Sequence, residues 1–193
     1  MSMARRSEIS RRTSETEIEA SADMDGGPVS VSTGSGFVDH LLSSFAKHAG
    51  IGLEVSARSV DGIAHHLVED AAICVGRAVD EALGSREGIA RFGRASVPMD
   101  EALADAALDL VRRPYQRVSL SLERDGVEGV PREDLEHLFQ SLLQNMCCCA
   151  HVEVRYGDND HHKAEAAAKA LAVALREAAR QSGSGAPSTK GAM

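Results

Sequence analysis

The sequence predicts an α+β fold made by internal duplication: a βα unit that occurs twice, each half a sheet covered on one face by two helices. Three observations predict it. The pentapeptide HHLVE (His65–Glu69) returns as HHKAE (His161–Glu165), 96 residues later. The apolar positions that follow keep the offset at helical spacing, Ala71, Val75, Ala78, Val79 and Ala82 against Ala167, Leu171, Ala174, Leu175 and Ala178. Upstream, VDHLLSSF (Val38–Phe45) matches LEHLFQSL (Leu135–Leu142) at an offset of 97, and both read as amphipathic helices.

In chain order, a short basic lead-in interrupted by acids (MARRSEISRRTSE) runs into TEIEASAD, which has the composition of a strand. The VDHLLSSF helix follows, then the alternating strand GLEVSA, then the helix that HHLVE opens. The second half repeats the order with YQRVSLSLE, LEHLFQSL, HVEVRY and the HHKAE helix. The halves are placed at 1–95 and 96–182 and are expected to pack as one domain, because two repeats are too few for a solenoid. Residues 183–193 lie in the small, polar stretch QSGSGAPSTKGAM and are expected to be flexible unless a ligand holds them.

Composition excludes several classes. A net charge of −8 leaves no electrostatic footprint for nucleic acid. No apolar run approaches the roughly 18 residues a membrane span needs, and the first twenty residues lack the apolar core of a secretory signal. Three of the four cysteines are consecutive, Cys147 to Cys149, which is neither a disulfide framework nor zinc-ligand spacing. The expectation is a cytoplasmic protein with reduced thiols.

The repeated motif points to metal chemistry. Histidine and glutamate four apart share a helix face, so His65 with Glu69, and His161 with Glu165, can each hold one ion. His66 and His162 are rotated by about 100° and point to a different ion. Two ions result, each taking a His–Glu pair from one motif and a lone histidine from the other. His40 and His137, at matching positions of the upstream helices, offer a fourth ligand to each ion. Imidazole with carboxylate suits Mn, Fe, Co, Ni or Zn better than Mg or Ca. The spacing leaves open whether the motifs meet within a chain or across an interface. His48 and His151 have no partner in the repeat and read as structural or supporting residues.

With these pieces in view the chain resembles the imidazoleglycerol-phosphate dehydratase family nearly end to end. The matching pieces include RRTSETEI, GFVDHLL, HHLVEDAAICVGRAVDEALG, GIARFG, PMDEALADAALDL, RPY, LEHLFQSL, NDHHKAEAAAKALAVALR and PSTKG. The resemblance implies a ribosomal-protein-S5-like βα unit in each half and two manganese ions per active site. It assigns His40, His66, His161 and Glu165 to one ion and His65, Glu69, His137 and His162 to the other. It further implies sites shared between subunits of a 24-chain shell, Glu15 as the proton-transferring carboxylate, and Arg91, Arg113, Lys169, Ser188 and Lys190 around the substrate phosphate. The reaction implied is loss of water from imidazoleglycerol phosphate to give imidazoleacetol phosphate in histidine biosynthesis. That step removes a poorly acidic C–H proton with no carbonyl to help, which is why Lewis acids on the imidazole are wanted.

The chain departs from the family at Ile63 and Ala64, where acids are usual, at Leu67, at Ser43–Ser44 and at Val111–Arg112. The proposed ligands are all retained. A competing reading, a non-catalytic metal-assembled shell or metal-storage protein on the same scaffold, would predict that Glu15→Gln changes nothing measurable. A dinuclear hydrolase of phosphate esters would release phosphate rather than water.

Overall fold

The computed structural model describes residues 5–183 and 185 of the 193. The first half runs β1 (Arg6–Arg12), β2 (Thr16–Asp23), β3 (Val29–Ser32), α1 (Gly36–Ala49), β4 (Gly52–Ser59) and α2 (Ala64–Leu83). The second runs β5 (Phe92–Met99), β6 (Ala102–Asp109), β7 (Tyr115–Ser119), the two-residue strands β8 (Gly126–Val127) and β9 (Val130–Pro131), α3 (Arg132–Asn145), β10 (Cys149–Tyr156) and α4 (Asp160–Ala179).

The duplication extends to topology. The sheets have the orders β1-β2-β4-β3 and β5-β6-β10-β7. In each, the first three strands pair antiparallel and the last pairs parallel with its neighbour. The second half opens with strands that the sequence hides. YQRVS is β7, the counterpart of β3, whereas the sheet begins at β5 and β6. β6 reads ALADAALD, and alanine is a poor strand former whose place here is set by burial of alternate residues, Ala102, Ala104, Ala106 and Leu108. β5 passes through residue 95 and belongs whole to the second half.

Each sheet buries one face on its own helices. α2 lies on β1, β2 and β4, and α4 on β5, β6 and β10. The helices then pair across the halves, α1 with α4 and α2 with α3, so four helices lie between two sheets. Small residues permit the close approaches. A Cβ at Gly76 of α2 would collide with Leu142 and Asn145 of α3, and one at Gly93 of β5 with the backbone of α4 at Ala174. This cross-pairing positions the site, because it brings the upstream histidine of each half to the HHxxE helix of the other.

Candidate metal centre

His40 of α1 meets His161 and Glu165 of α4, and ligand atoms of all three lie within 4.8 Å of one another. Their Nε2 atoms stand 3.3 and 3.5 Å from Glu165 Oε2. His137 of α3 meets His65 and Glu69 of α2 in a second such group. There the Nε2 atoms of His65 and His137 lie 4.0 and 3.6 Å from the Glu69 carboxylate. His66 and His162 join neither group. His66 lies in a third cluster with Asp61 and Glu15, its Nδ1 at 2.7 and 4.0 Å from their carboxylates. His162 faces Glu101 and Asp100 at 2.7 and 3.5 Å.

Behind each motif histidine stands a carboxylate that sequence reasoning missed. Asp134, buried, lies 2.5 Å from His65 Nδ1, and Asp61 2.7 Å from His66 Nδ1. Glu101 lies 2.7 Å from His162 Nδ1 and Glu128 3.3 Å from His161 Nδ1. A carboxylate on Nδ1 favours the N–H there and leaves the Nε2 lone pair for a metal. The Asp61 and Glu101 hydrogen bonds hold the rings of His66 and His162 above the usual histidine pKa, against partial desolvation. Burial pushes the Glu165 carboxyl up, but hydrogen bonds from Lys169 and His40 outweigh it and hold it below the ordinary value.

Local structure explains the placements. Asn159 caps α4, its side chain accepting from the His161 N–H at 2.9 Å. In α1, Asp39 beside His40 accepts from the Thr33 N–H and hydroxyl at 2.7 and 2.6 Å. Glu15 is fixed in the β1–β2 turn: its N–H donates to Thr13 Oγ1, and its carbonyl accepts from Val60 at 2.7 Å. Glu128 and Gly129 form the two-residue turn between β8 and β9, with φ of 49° and 83°. Such a turn needs positive φ at both positions.

The donor chemistry fits a first-row divalent ion in both groups: two imidazoles and one carboxylate each, with the approaching nitrogens already turned inward. Neither group is complete against the sets expected from the sequence, since the fourth histidine of each points elsewhere. Three concavities, on the outer sheet faces and beside the end of α4, contain none of the eight expected ligands.

The phosphate residues are dispersed within one chain. Lys169 Nζ lies 2.8 Å from Glu165 Oε1, beside the first group. Arg91 is held by Asp109 through two hydrogen bonds of 2.7 and 2.9 Å, and its N–H bonds to Ala178. Ala178 is 17 residues beyond His161 on α4, or about 25 Å at 1.5 Å per residue. Arg113 is exposed near the far end of α2, where its neighbour Arg112 donates to the Gly84 carbonyl at 2.9 Å. Ser188 and Lys190 lie outside the described residues. Of the departures, Leu67 packs on the core and Val111 is buried. Ile63 stands before α2 with no side-chain cap, and the hydroxyl of buried Ser44 has no hydrogen-bond partner among the described residues. His48 is exposed on α1, and partial burial and the Lys169 ammonium lower its pKa. His151 lies against Tyr115, ring centroids 5.7 Å apart.

Comparison with known proteins bears on the family and the fold. The profile of the imidazoleglycerol-phosphate dehydratase family matches residues 33–175. The imidazoleglycerol-phosphate dehydratase of Methanococcoides burtonii is 46% identical over 193 residues, covering 98% of this chain and 100% of that protein. That of Methanothermobacter thermautotrophicus is 47% identical, with 97% of each covered. The crystal structure of the Staphylococcus aureus enzyme superposes with a TM-score of 0.83 at 30% identity, covering 92% of this chain and 99% of the other. The Pyrococcus furiosus structure, in complex with (S)-C348, gives 0.82 at 33%, covering 96% and 100%. The chain belongs to the imidazoleglycerol-phosphate dehydratase family.

Proposed function

We propose that the chain dehydrates imidazoleglycerol phosphate to imidazoleacetol phosphate in cytoplasmic histidine biosynthesis, with two Mn2+ per active site and sites shared among 24 identical chains. The observation that carries the reading is the pair of three-ligand groups, each gathered within 4.8 Å and each lacking one histidine that the same chain holds against carboxylates elsewhere. His66 of one chain would complete the group of His40, His161 and Glu165 of another. His162 would likewise complete His65, Glu69 and His137. The dispersal of Arg91 and Arg113 away from both groups supports the same sharing.

When bound, the two ions supply Lewis acidity at the nitrogens of the substrate imidazole. The chain's own residues do the rest. Glu15, fixed by its turn and 4.0 Å from the His66 ring, would take the proton from the carbon neighbouring the hydroxyl-bearing one and return a proton later. Lys169, and Arg91 and Arg113 of an adjoining chain, hold the phosphate, with Ser188 and Lys190 closing over it. Phosphate bound away from the ions sets the reacting carbons at a fixed distance from Glu15. The four carboxylates on Nδ1 keep the imidazole ligands aimed without a search for the right tautomer.

The test is an assay of purified, manganese-loaded protein with imidazoleglycerol phosphate, following imidazoleacetol phosphate, beside Glu15→Gln. Product from the wild type, with a loss of more than about a thousandfold in a variant that still binds two ions per chain, supports the reading. Two bound ions with no product from either protein would leave the non-catalytic shell.

A further inference from the structure

We propose that Glu101 is a positioning residue: it fixes the tautomer and direction of His162 and so makes that ring a competent ligand for another chain's metal. The inference rests on reading His162 as a ligand.

Glu101 directly precedes β6, the place that Glu15 occupies before β2 in the other half. The two turns put their carboxylates to different use. Glu15 stands 4.0 Å from the His66 ring, whose Nδ1 is served from the following loop by Asp61 at 2.7 Å. That leaves Glu15 uncommitted to the ring. Glu101 is held by both oxygens. Its Oε1 accepts the N–H of Asp158 at 3.2 Å and of Asn159 at 2.8 Å, the two residues before α4. Its Oε2 lies 2.7 Å from His162 Nδ1. With Oε1 engaged by backbone donors, the carboxylate's Oε2 accepts, so Nδ1 carries the proton and the Nε2 lone pair is left on the side where Asp100 Oδ2 lies 3.5 Å away. The loop before α4 and the ligand ring are thereby set by one side chain before any metal arrives.

The experiment measures Mn2+ stoichiometry and affinity by equilibrium dialysis, metal-driven assembly by light scattering, and thermal melting, for wild type, His162→Ala, Glu101→Gln and Glu101→Ala. In Glu101→Gln the amide oxygen keeps the Asp158 and Asn159 donors, and the amide NH2 turns to Nδ1. The ring must then carry its proton on Nε2, where a metal would bind. The expected result is a tenfold or greater loss of affinity for one of the two ions, poor assembly, a melting temperature near wild type, and a milder metal defect in Glu101→Ala, where the ring is free to choose its tautomer. Wild-type affinity in Glu101→Gln, or a larger metal defect in Glu101→Ala than in Glu101→Gln, overturns the proposal and leaves Glu101 a loop residue. If His162→Ala keeps both ions, the ligand reading beneath it fails as well; if His162→Ala loses an ion and Glu101→Gln keeps it, only the role of Glu101 fails. Independently of how the Glu101 variants fold, 15N-histidine spectra of the metal-free wild type, assigned by His162→Ala, should show His162 as the Nδ1–H tautomer. The Nε2–H tautomer there would overturn the inference.

Discussion

Glu165, on α4, has a side chain 9% exposed and carries the Lys169 ammonium at 2.8 Å; Glu69, its counterpart on α2, is 34% exposed and has Ile73 one turn on. Behind the rings the halves differ again. Asp134 lies under His65 at 2.5 Å, whereas the matching position in the first half is Phe37, whose ring packs 4.9 Å from His161. Each group thus has a second carboxylate behind a ring, buried Asp134 in one and exposed Glu128 in the other, but only Glu165 is already shared with an ammonium among the ion pairs of the described residues. Backbone duplication delivers the same donors to both groups, while substitutions one turn away decide the charge each presents to an ion. Geometry was copied and electrostatics diverged.

The starts of the two helices sharpen this most. α4 opens Asn159-Asp160-His161-His162-Lys163, and α2 opens Ile63-Ala64-His65-His66-Leu67. Lys163 and Asp160 are both 1% exposed and paired at 3.0 Å. Asp160 also accepts the N–H groups of Glu123 and Arg124 at 2.9 and 2.8 Å, and Lys163 donates to the Ser121 carbonyl at 3.0 Å. These bonds tie to α4 the loop that leads into β8 and β9, strands the first half lacks, and so bring Glu128 to His161. Lys163→Leu leaves Asp160 buried and unpaired and should cost about 3–5 kcal/mol in urea unfolding. The double change Asp160→Ala with Lys163→Leu imitates α2 and should recover most of that, retaining a loss of about 1–2 kcal/mol from the two freed N–H groups. A double variant no better than the single would show that α4 needs the ion pair in a way α2 does not.

The same pair makes a pH prediction. Burial pushes the Asp160 carboxyl up, but the Arg124 N–H and the Lys163 ammonium outweigh it, and its pKa lies below the ordinary 3.8. Burial also lowers that of Lys163, yet the Asp160 hydrogen bond leaves it above 10.5. The acid's contribution is present above 3.8 and lost as pH falls through its folded value; the lysine's is complete below 10.5 and lost as pH rises through its own. The gap in melting temperature between wild type and the double variant should therefore shrink below pH 3.8.

The sequence made the donors legible because helical period and repeat offset are local quantities: i to i+4 put His161 with Glu165, and the 97-residue offset exposed His40 and His137. It did not reveal the supporting carboxylates. Glu101 reaches His162 from 61 residues away, and Asp134 reaches His65 from 69. Neither sits in a motif, because their places follow from the cross-pairing of α2 with α3 and from a turn between strands that were not recognised. β6 stayed hidden for a related reason: ALADAALD has the composition of a helix, and the sheet's burial overrides it. The one local hint was that Glu15 and Glu101 each precede a strand at matching points, readable only once β6 is known.

Lys169 separates the two groups by charge. Its ammonium opposes a dication approaching Glu165, so Lys169→Met should raise Mn2+ affinity at the group of His40, His161 and Glu165 by about tenfold or more, while turnover falls with loss of a phosphate contact. Ile73→Lys would place the same charge one turn beyond Glu69 and should weaken the other group by a similar factor. Titrating Mn2+ by electron paramagnetic resonance at pH 8 checks both. Unchanged affinities would mean that surroundings other than these two positions set the balance between groups.

The smallest expected effects lie at the thiols. All four cysteines are free. Burial pushes the Cys74 thiol up to about 11 and the Cys148 thiol up to about 12. Thiolate is the reactive form, so both should resist iodoacetamide in the folded protein at pH 8 and react after unfolding. Their counterparts in the other half are Ala170 and Ile51, which says that each cysteine fills apolar volume and nothing more. Cys74→Ala, which copies α4 into α2, should then cost about 1 kcal/mol or less with activity intact. A larger loss would mean that α2 packs against its sheet and α3 more tightly than α4 packs at the same level, where Gly93 of β5 gives α4 its clearance and Gly76 on α2 itself gives clearance to α3.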